Sequence, residues 1–401
     1  MEVQMQQNVC AVICEYDPFH NGHRYLLETA RERTGADYIV CIMSGNIMQR
    51  GSFARYDKFL RARSALCAGA DLVLELPVRF SCAPAQDFAA GGLAIAGSLS
   101  VCTHLAFGCE PELLPLLDRL AETVRNETDD FKKHLREKLS SGLAYPSAYA
   151  AALSKTMQYP ELQKLTAAPN AILALQYLRA IPDTIQPVAI SRIGAYHDNG
   201  ISAYSSASAL RNTAQAGKLA DAAYAMPDPE PYLEAERIRD VHEPDALSQV
   251  LLYLLRTGNA DELSNISGMG EGIHNRFIDC AYHVPDRESL IQSVKNRRFP
   301  YTRLSRICSC ILLGLTREMA SRLSVPEYVR VLGFRRTAAP LLRQIKDNCT
   351  SIPLIARARD LPSASLQYQL DHRAQILWSL GCSNPDLRQG NRDLSSPTVV
   401  I

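Results

Sequence analysis

With 401 residues, 47% hydrophobic and 21% charged, the chain has the length for about two to three domains and an ordinary globular composition. Lys and Arg number 43 against 42 Asp and Glu, a formal net charge of +1, so there is no global basic field and any nucleic-acid surface must be a local patch. Twelve cysteines occur without a single CxxC, which excludes zinc-ribbon and thioredoxin-type spacings and reads as small buried residues of a reducing compartment. The N-terminus lacks a leader pattern and no apolar run reaches about 18 residues, so a cytoplasmic location is expected.

The first third alternates strand and helix signals. Val9 to Glu15 is a short apolar run, Gly22 to Arg33 has helical composition, and Tyr38 to Met43 is apolar again. Asp57 to Ala68 reads as a helix, Asp71 to Leu76 as a strand closed by Pro77, Ala83 to Ala96 as a small-residue helix and Leu105 to Gly108 as a fourth strand. Residues 111 to 185 read as mostly helical, Gln186 to Ile193 as a further strand and Ser205 to Gly217 as a capped helix. Apolar runs alternating with helices predict a Rossmann-like α/β domain with a parallel sheet over residues 1–228, its ligands at the carboxyl ends of the strands. From Pro229 onward strand patterns vanish, so 229–385 is expected to be an all-helical domain. Residues 386–401, with Gly390, Asn391 and Pro397, read as a flexible tail.

The stretch Ile13-Cys14-Glu15-Tyr16-Asp17-Pro18-Phe19-His20-Asn21-Gly22-His23 leaves the first strand and opens the first helix. A helix start offers unbonded N–H groups and positive dipole to phosphate. Gly22 lets the backbone come close, and two imidazoles three residues apart can donate to charge developing on an α-phosphate. The same residues would also make a capped helix with two packed histidines. After the second strand, Ser44, Asn46, Gln49 and Arg50 lie in a glycine-flanked loop at the same sheet edge, and Lys58 and Arg61 follow on a helix start, where one could meet phosphate while surface ion pairs are the expected role for at least one of them.

The segments EYDPFHNGH (15–23), MSGNIMQRG (43–51), DKxxR from Asp57, and GADLVLELP (69–77) together resemble the tRNA(Met) cytidine acetate ligase family of the HxGH nucleotidyltransferase superfamily. The similarity continues through FGCE (107–110), APNAIL (168–173), SRIGAYHD (191–198), SASALR (206–211) and YTRLSR (301–306). The resemblance implies an ATP site made by Ile13 through Leu26, including Arg24, Tyr25 and Leu26, with Gly108, Asn170, Arg192 and Ile193. It implies His20 and His23 as catalytic groups and Mg2+ travelling with ATP, with no protein-bound metal cluster. It also implies the activity: acetate is activated as acetyl-adenylate, and the wobble cytidine of elongator tRNA(Met) is acetylated. Asp17 stands where the family usually has Asn, which would add negative charge near the triphosphate. Ser206, Ser208 and Arg211 resemble the superfamily's second phosphate-gripping signature, although they would equally make a Ser-capped helix.

For RNA, residues 287 to 306 hold six basic side chains and one acidic. Lys295, Arg297, Arg298, Arg303 and Arg306 are interleaved with Phe299 and Tyr301, a pattern suited to phosphate contact and base stacking. The competing reading is an adenylyltransferase acting on a small phosphorylated metabolite, which keeps the first domain's chemistry and needs no basic helical domain.

Overall fold

In the computed structural model, which describes residues 7–143, 145–160, 162, 169–193, 202–348 and 352–401, side-chain alternation builds the sheet. Strand β1 (Val9–Cys14) sends Val9 and Ala11 into the core on one face and Cys10, Val12 and Cys14 into the core on the other. Strand β2 (Tyr38–Ser44) does the same with Val40 and Ile42 against Ile39, Cys41 and Met43. Helix α1 (Asn21–Thr34) and α2 (Lys58–Cys67) cover the second face. The short α3 (Val78–Ser81) and α4 (Ala85–Ser98) lie toward the first face, where α4 presses on β1 through Gly92. A Cβ at Gly92 would fall 2.4 Å from the Ile13 side chain, so no larger residue allows this approach.

Strands β3 (Leu72–Leu76), β4 (His104–Cys109) and β5 (Gln186–Ser191) complete the parallel part, in the order β5-β4-β1-β2-β3. Chain order reverses between β1 and β4, which makes their carboxyl ends the switch point where α/β sheets bind ligands. Between β4 and β5 run α5 (Leu117–Arg125), α6 (Asp129–Ser140), α7 (Tyr145–Thr156) and α8 (Pro169–Ala180). Helix α9 (Ala207–Gln215) follows β5, its start capped by the Ser206 hydroxyl accepting from Ala209 N–H.

The expected α/β class holds, and the chain after β5 is rich in helices: α10 (Glu230–Arg237), α11 (Ser248–Thr257), α12 (Ala260–Ser264), α13 (Ile273–Ala281), α14 (Arg287–Val294), α15 (Tyr301–Leu313) and α16 (Arg317–Arg322). Leu251, Phe277, Leu290, Leu304 and Ile307 belong to a core shared by α11 through α16, while α10 packs through Tyr232 and Ala235 on the second face of the sheet. The region 229–385 is not all helix, however. Strand β6 (Val329–Phe334) pairs antiparallel with β3 at the edge of the same sheet, and β7 (Leu354–Ile355) pairs with β6. Two further helices, α17 (Ala339–Asn348) and α18 (Leu366–Leu380), accompany them.

Residues 386–401 are not a flexible tail. They form α19 (Arg392–Ser395) and β8 (Val399–Val400), which pairs parallel with β6. The reason is charge: Asp393, 2% exposed, meets the Lys58 ammonium at 2.8 Å and the Arg330 guanidinium at 2.7 Å. Lys58 in turn donates to Glu75 at 2.8 Å. A buried ammonium needs partners, and the last residues of the chain supply one of them.

Candidate active site

The turn after β1 ends at His20, which caps α1. Its Nδ1 accepts from Gly22 N–H at 3.1 Å, while His20 N–H donates to His23 Nδ1 at 3.3 Å. This is a capping box in which imidazoles replace the usual hydroxyl and carboxylate. The two rings stack with centroids 3.5 Å apart. Because each Nδ1 accepts a backbone N–H, the proton of each neutral ring sits on Nε2. Burial pushes the His20 pKa down to about 3, helped by the Arg192 and Arg211 guanidinium groups, and holds His23 well below its ordinary value. At neutral pH both rings are uncharged Nε2–H donors. Gly22 has a steric reason: a Cβ there would press to 3.0 Å on the His20 ring.

The histidines face a cavity of about 1560 Å³ at the switch point. Of the residues anticipated for ATP, Ile13, Cys14, Glu15, Tyr16, Gly22, Tyr25, Leu26, Gly108, Asn170, Arg192 and Ile193 line it with His20 and His23. Tyr16 holds a left-handed backbone, φ 55°, a strained state for a bulky residue that turns the chain sharply into the site. Its hydroxyl contacts Cys41 Sγ at 3.5 Å. Glu15 accepts from Gln49 N–H at 2.6 Å, and burial raises its carboxyl above the usual range.

Other anticipated residues stand behind the cavity wall. Asp17 does not face the cavity: its carboxylate accepts from the N–H groups of Arg55 (3.0 Å) and Tyr56 (3.1 Å), and Arg211 lies at 3.8 Å. Its negative charge is therefore spent on joining the β1 turn to the start of α2. The Asp17–Pro18 peptide is cis, and Phe19 is fully buried, its N–H donating to the Tyr232 hydroxyl at 3.0 Å. Asn21 donates to the Ala203 and Tyr224 carbonyls, and Arg24 points to solvent beside Glu28. Ser206 lines the cavity, whereas Ser208 and Arg211 do not; Arg211 donates to the Asp17 carbonyl and, at 3.2 Å, to the Ser208 hydroxyl.

In the loop after β2, Gln49 and Arg50 reach the cavity. Ser44 and Asn46 are buried, Asn46 donating to Gln375 Oε1 at 2.9 Å. Neither Lys58 nor Arg61 is placed for phosphate. Lys58 is committed to Glu75 and Asp393, and Arg61 stitches strand ends together by donating to the Glu15, Ser44 and Gly45 carbonyls.

The far wall comes from the helical region: Ser267, Gly268, Glu271, Arg298, Thr302, Arg303 and Arg306. Gly51 makes this junction, with φ +80° and a missing Cβ that would sit 2.4 Å from Arg306 N. Arg303 lies 4.2 Å over the Phe299 ring, and Arg298 pairs with Glu271 at 2.6 Å. Phe299 is only 4% exposed, so it braces Arg303 instead of offering a stacking face; Lys295 and Arg297 are exposed outside the cavity. Farther along the chain, Arg335 is spent on the Leu66 carbonyl.

Sequence reasoning missed Glu110, Gln176 and Tyr177 on the wall. Asn170 Nδ2 donates to Glu110 Oε1 at 3.4 Å. Helical spacing from Asn170 on α8, through Leu173 to Gln176 and Tyr177, was the available signal.

The description HIGH nucleotidyl transferase fits residues 7–393 as one family match. Relatives named tRNA(Met) cytidine acetate ligase are 33% identical in Acetivibrio thermocellus, covering 98% of this chain and 100% of that one, and 33% identical in Clostridium perfringens, covering 98% and 99%. The chain belongs to the tRNA(Met) cytidine acetate ligase family. The crystal structure of Thermotoga maritima TmcAL bound with alpha-thio ATP superposes with a TM-score of 0.89 at 30% identity, covering 98% of this chain and 99% of that one. Among the described residues, no helix is long and apolar enough to cross a membrane.

Proposed function

We propose that this protein is an ATP-dependent ligase that converts acetate to acetyl-adenylate and transfers the acetyl group to the exocyclic amine of the wobble cytidine in elongator tRNA(Met). The observation that carries the reading is the pair of neutral Nε2–H donors at a helix start, in a cavity whose opposite wall holds Arg298, Arg303 and Arg306. An acetate oxygen attacks the α-phosphorus in line, the bond to the β-phosphate oxygen breaks, and pyrophosphate leaves. His20 and His23 donate to the oxygens on which charge builds. The cytidine amine then attacks the acetyl carbonyl, the bond to the adenylate oxygen breaks, and AMP leaves with a proton released. Gly108 leaves room for the nucleotide at the end of β4, Asn170 offers polar contact, and Arg192 at the end of β5 neutralises phosphate.

Magnesium accompanying ATP would offset phosphate charge. It takes oxygen ligands, commonly one or two carboxylates besides phosphate and water. The wall fits this, because Glu110 Oε2 is buried with no hydrogen-bond partner among the described residues. The ion would thus be held by Glu110 with the phosphates.

Labelled acetate and ATP incubated with purified tRNA should place label on cytidine, with AMP and pyrophosphate as products and no need for coenzyme A. ADP and phosphate, or a strict requirement for acetyl-CoA, would overturn the mechanism. Pyrophosphate release that depends on a phosphorylated metabolite instead of acetate would favour the adenylyltransferase reading.

A further inference from the structure

Helix α6 carries charge that the chemistry above does not use. Its inner side is apolar: Phe131 is buried, Leu135 packs on the same core, and the Thr128 hydroxyl caps the helix by accepting from Phe131 N–H at 3.2 Å. Its outer side presents Lys132, Lys133 and Arg136 to solvent, with Lys138 half-buried. Residues 132 to 138 thus hold four cations against one carboxylate, Glu137, in a chain whose net charge is +1. Asp129 and Asp130 stand in the first turn, where they suit the helix dipole. Among the described residues the ion pair within α6 is His134 with Asp130 at 3.6 Å, so the four cations are not spent on carboxylates.

The basic stripe leads to the cavity. Lys132, Arg136 and Leu139 succeed one another at four- and three-residue spacing on one face, a run of about 10 Å along the axis. Leu139 lines the cavity with Leu143 and Tyr145, and Arg298 and Arg303 line the same cavity from the helical region. At this rim Leu139 is 38% and Tyr145 40% exposed. The Tyr145 ring is held in place: its centroid lies 5.7 Å from Tyr149, which Phe131 of α6 meets edge-on at 5.1 Å. A row of exposed cations alone is a solvated helix face. One that ends in an open aromatic ring at the mouth of a cavity offers both things a nucleic-acid strand needs, phosphate partners and a face for a base.

We propose that α6 and the start of α7 form a second RNA-contacting surface, in which Lys132, Lys133 and Arg136 take backbone phosphates beside the modified cytidine and the Tyr145 ring stacks on a base at the cavity mouth. The identity of the RNA rests on the ligase reading. The strand is then gripped from two parts of the chain, by α6 and α7 from between β4 and β5 and by Arg298 and Arg303 beyond them. A chain without a general basic field needs such local patches to hold a polyanion.

The test measures binding of a tRNA(Met) transcript to the full-length protein over a range of salt. Joint Lys132→Ala, Lys133→Ala and Arg136→Ala replacement should weaken binding and make the log–log salt slope shallower by about two, as loss of three single-strand phosphate contacts requires. Lys132→Arg, Lys133→Arg and Arg136→Lys together keep the charge and should keep the wild-type slope; an equal loss in both triple variants would overturn charge as the cause. Tyr145→Ala should raise the KM for tRNA in acetate-dependent acetylation roughly tenfold, and Tyr145→Phe should restore it. A wild-type KM in Tyr145→Ala would overturn the stacking role. Wild-type affinity and slope in the alanine triple variant would overturn the surface, and loss of binding to phosphatidylserine vesicles with tRNA binding intact would give these cations to a membrane instead. Transcript binding that depends on α6 as expected, in a wild-type protein that does not acetylate the transcript, would sink the ligase reading and leave the surface standing.

Discussion

Replacing His23 by alanine separates the chemistry from the fold. The ring contributes an Nε2–H to the cavity, an acceptor for His20 N–H at 3.3 Å, and a face stacked on His20 at 3.5 Å. Losing the acceptor at a helix start costs about 0.5–1.5 kcal/mol, set against roughly 5–15 kcal/mol for a whole domain, so the variant stays folded. Losing a donor that meets the transition state costs about 2.7–4 kcal/mol, or roughly 10²–10³ in rate. Acetate-dependent ATP–pyrophosphate exchange should therefore fall by two to three orders of magnitude, on the order set by that donor, while the urea midpoint moves little. The loss should appear in kcat more than in KM, since the strengthened bonds exist in the transition state. Exchange at the wild-type rate in a folded His23→Ala protein would refute the role.

Acid should weaken the fold through its buried histidines: burial holds His20 at about 3 and His242 at about 4, so the unfolded chain binds more protons below about pH 6.5 and stability, whole above that, falls as pH drops. The loss is about 2–3 kcal/mol for each near pH 4.5, so urea midpoints should fall less between pH 7.5 and 4.5 in His20→Asn than in wild type; an equal fall would count against it. Asp393→Asn leaves Lys58 and Arg330 short of a buried partner and should cost about 3–5 kcal/mol in urea unfolding, an outcome incompatible with a dispensable tail. Joint replacement of Arg297, Arg298 and Arg303 by alanine should weaken tRNA binding and flatten its salt dependence; unchanged binding with the same salt slope would place the RNA surface elsewhere.

What was legible in the sequence follows the range of the interactions involved. Strands β1 to β5 and helix α1 are local patterns, apolar runs closed by turns and a helix opened by His20, and they were readable. Strand β6 was not, because Arg330 interrupts its apolar run and reads as a residue at the surface. It is buried by pairing with Asp393, a partner 63 residues away. For the same reason Pro397 and its polar neighbours concealed β8, whose place depends on β6. Within the site, adjacency misled: Asp17 and Phe19 stand close to His20 in sequence, yet the turn directs them toward Arg55, Tyr56 and Tyr232. Phe299 was misplaced similarly, since a patch of arginines does not reveal which ring lies beneath them.

The placement of the two cavity walls has a physical consequence for a chain whose net charge is only +1. The helical region is not suspended from the sheet by a linker. Tyr232 near its start bonds Phe19 directly behind the histidines, and its far end returns as β6 beside β3. Beyond β6, α18 supports the loops of the near wall: Trp378 Nε1 donates to the Ala54 carbonyl at 2.7 Å, Gln375 accepts from Asn46 at 2.9 Å, and Asp371 accepts from Val78 N–H at 2.7 Å. Helix α15 holds the same loop from the other side, with Ser309 donating to the Gly51 carbonyl at 2.7 Å. Gln49 and Arg50 on one wall and Arg303 and Arg306 on the other are therefore positioned by one network of buried bonds. Charges and dipoles fixed this way act on a phosphate without reorganising as the reaction proceeds, so a few well-placed groups suffice where a general basic field is lacking.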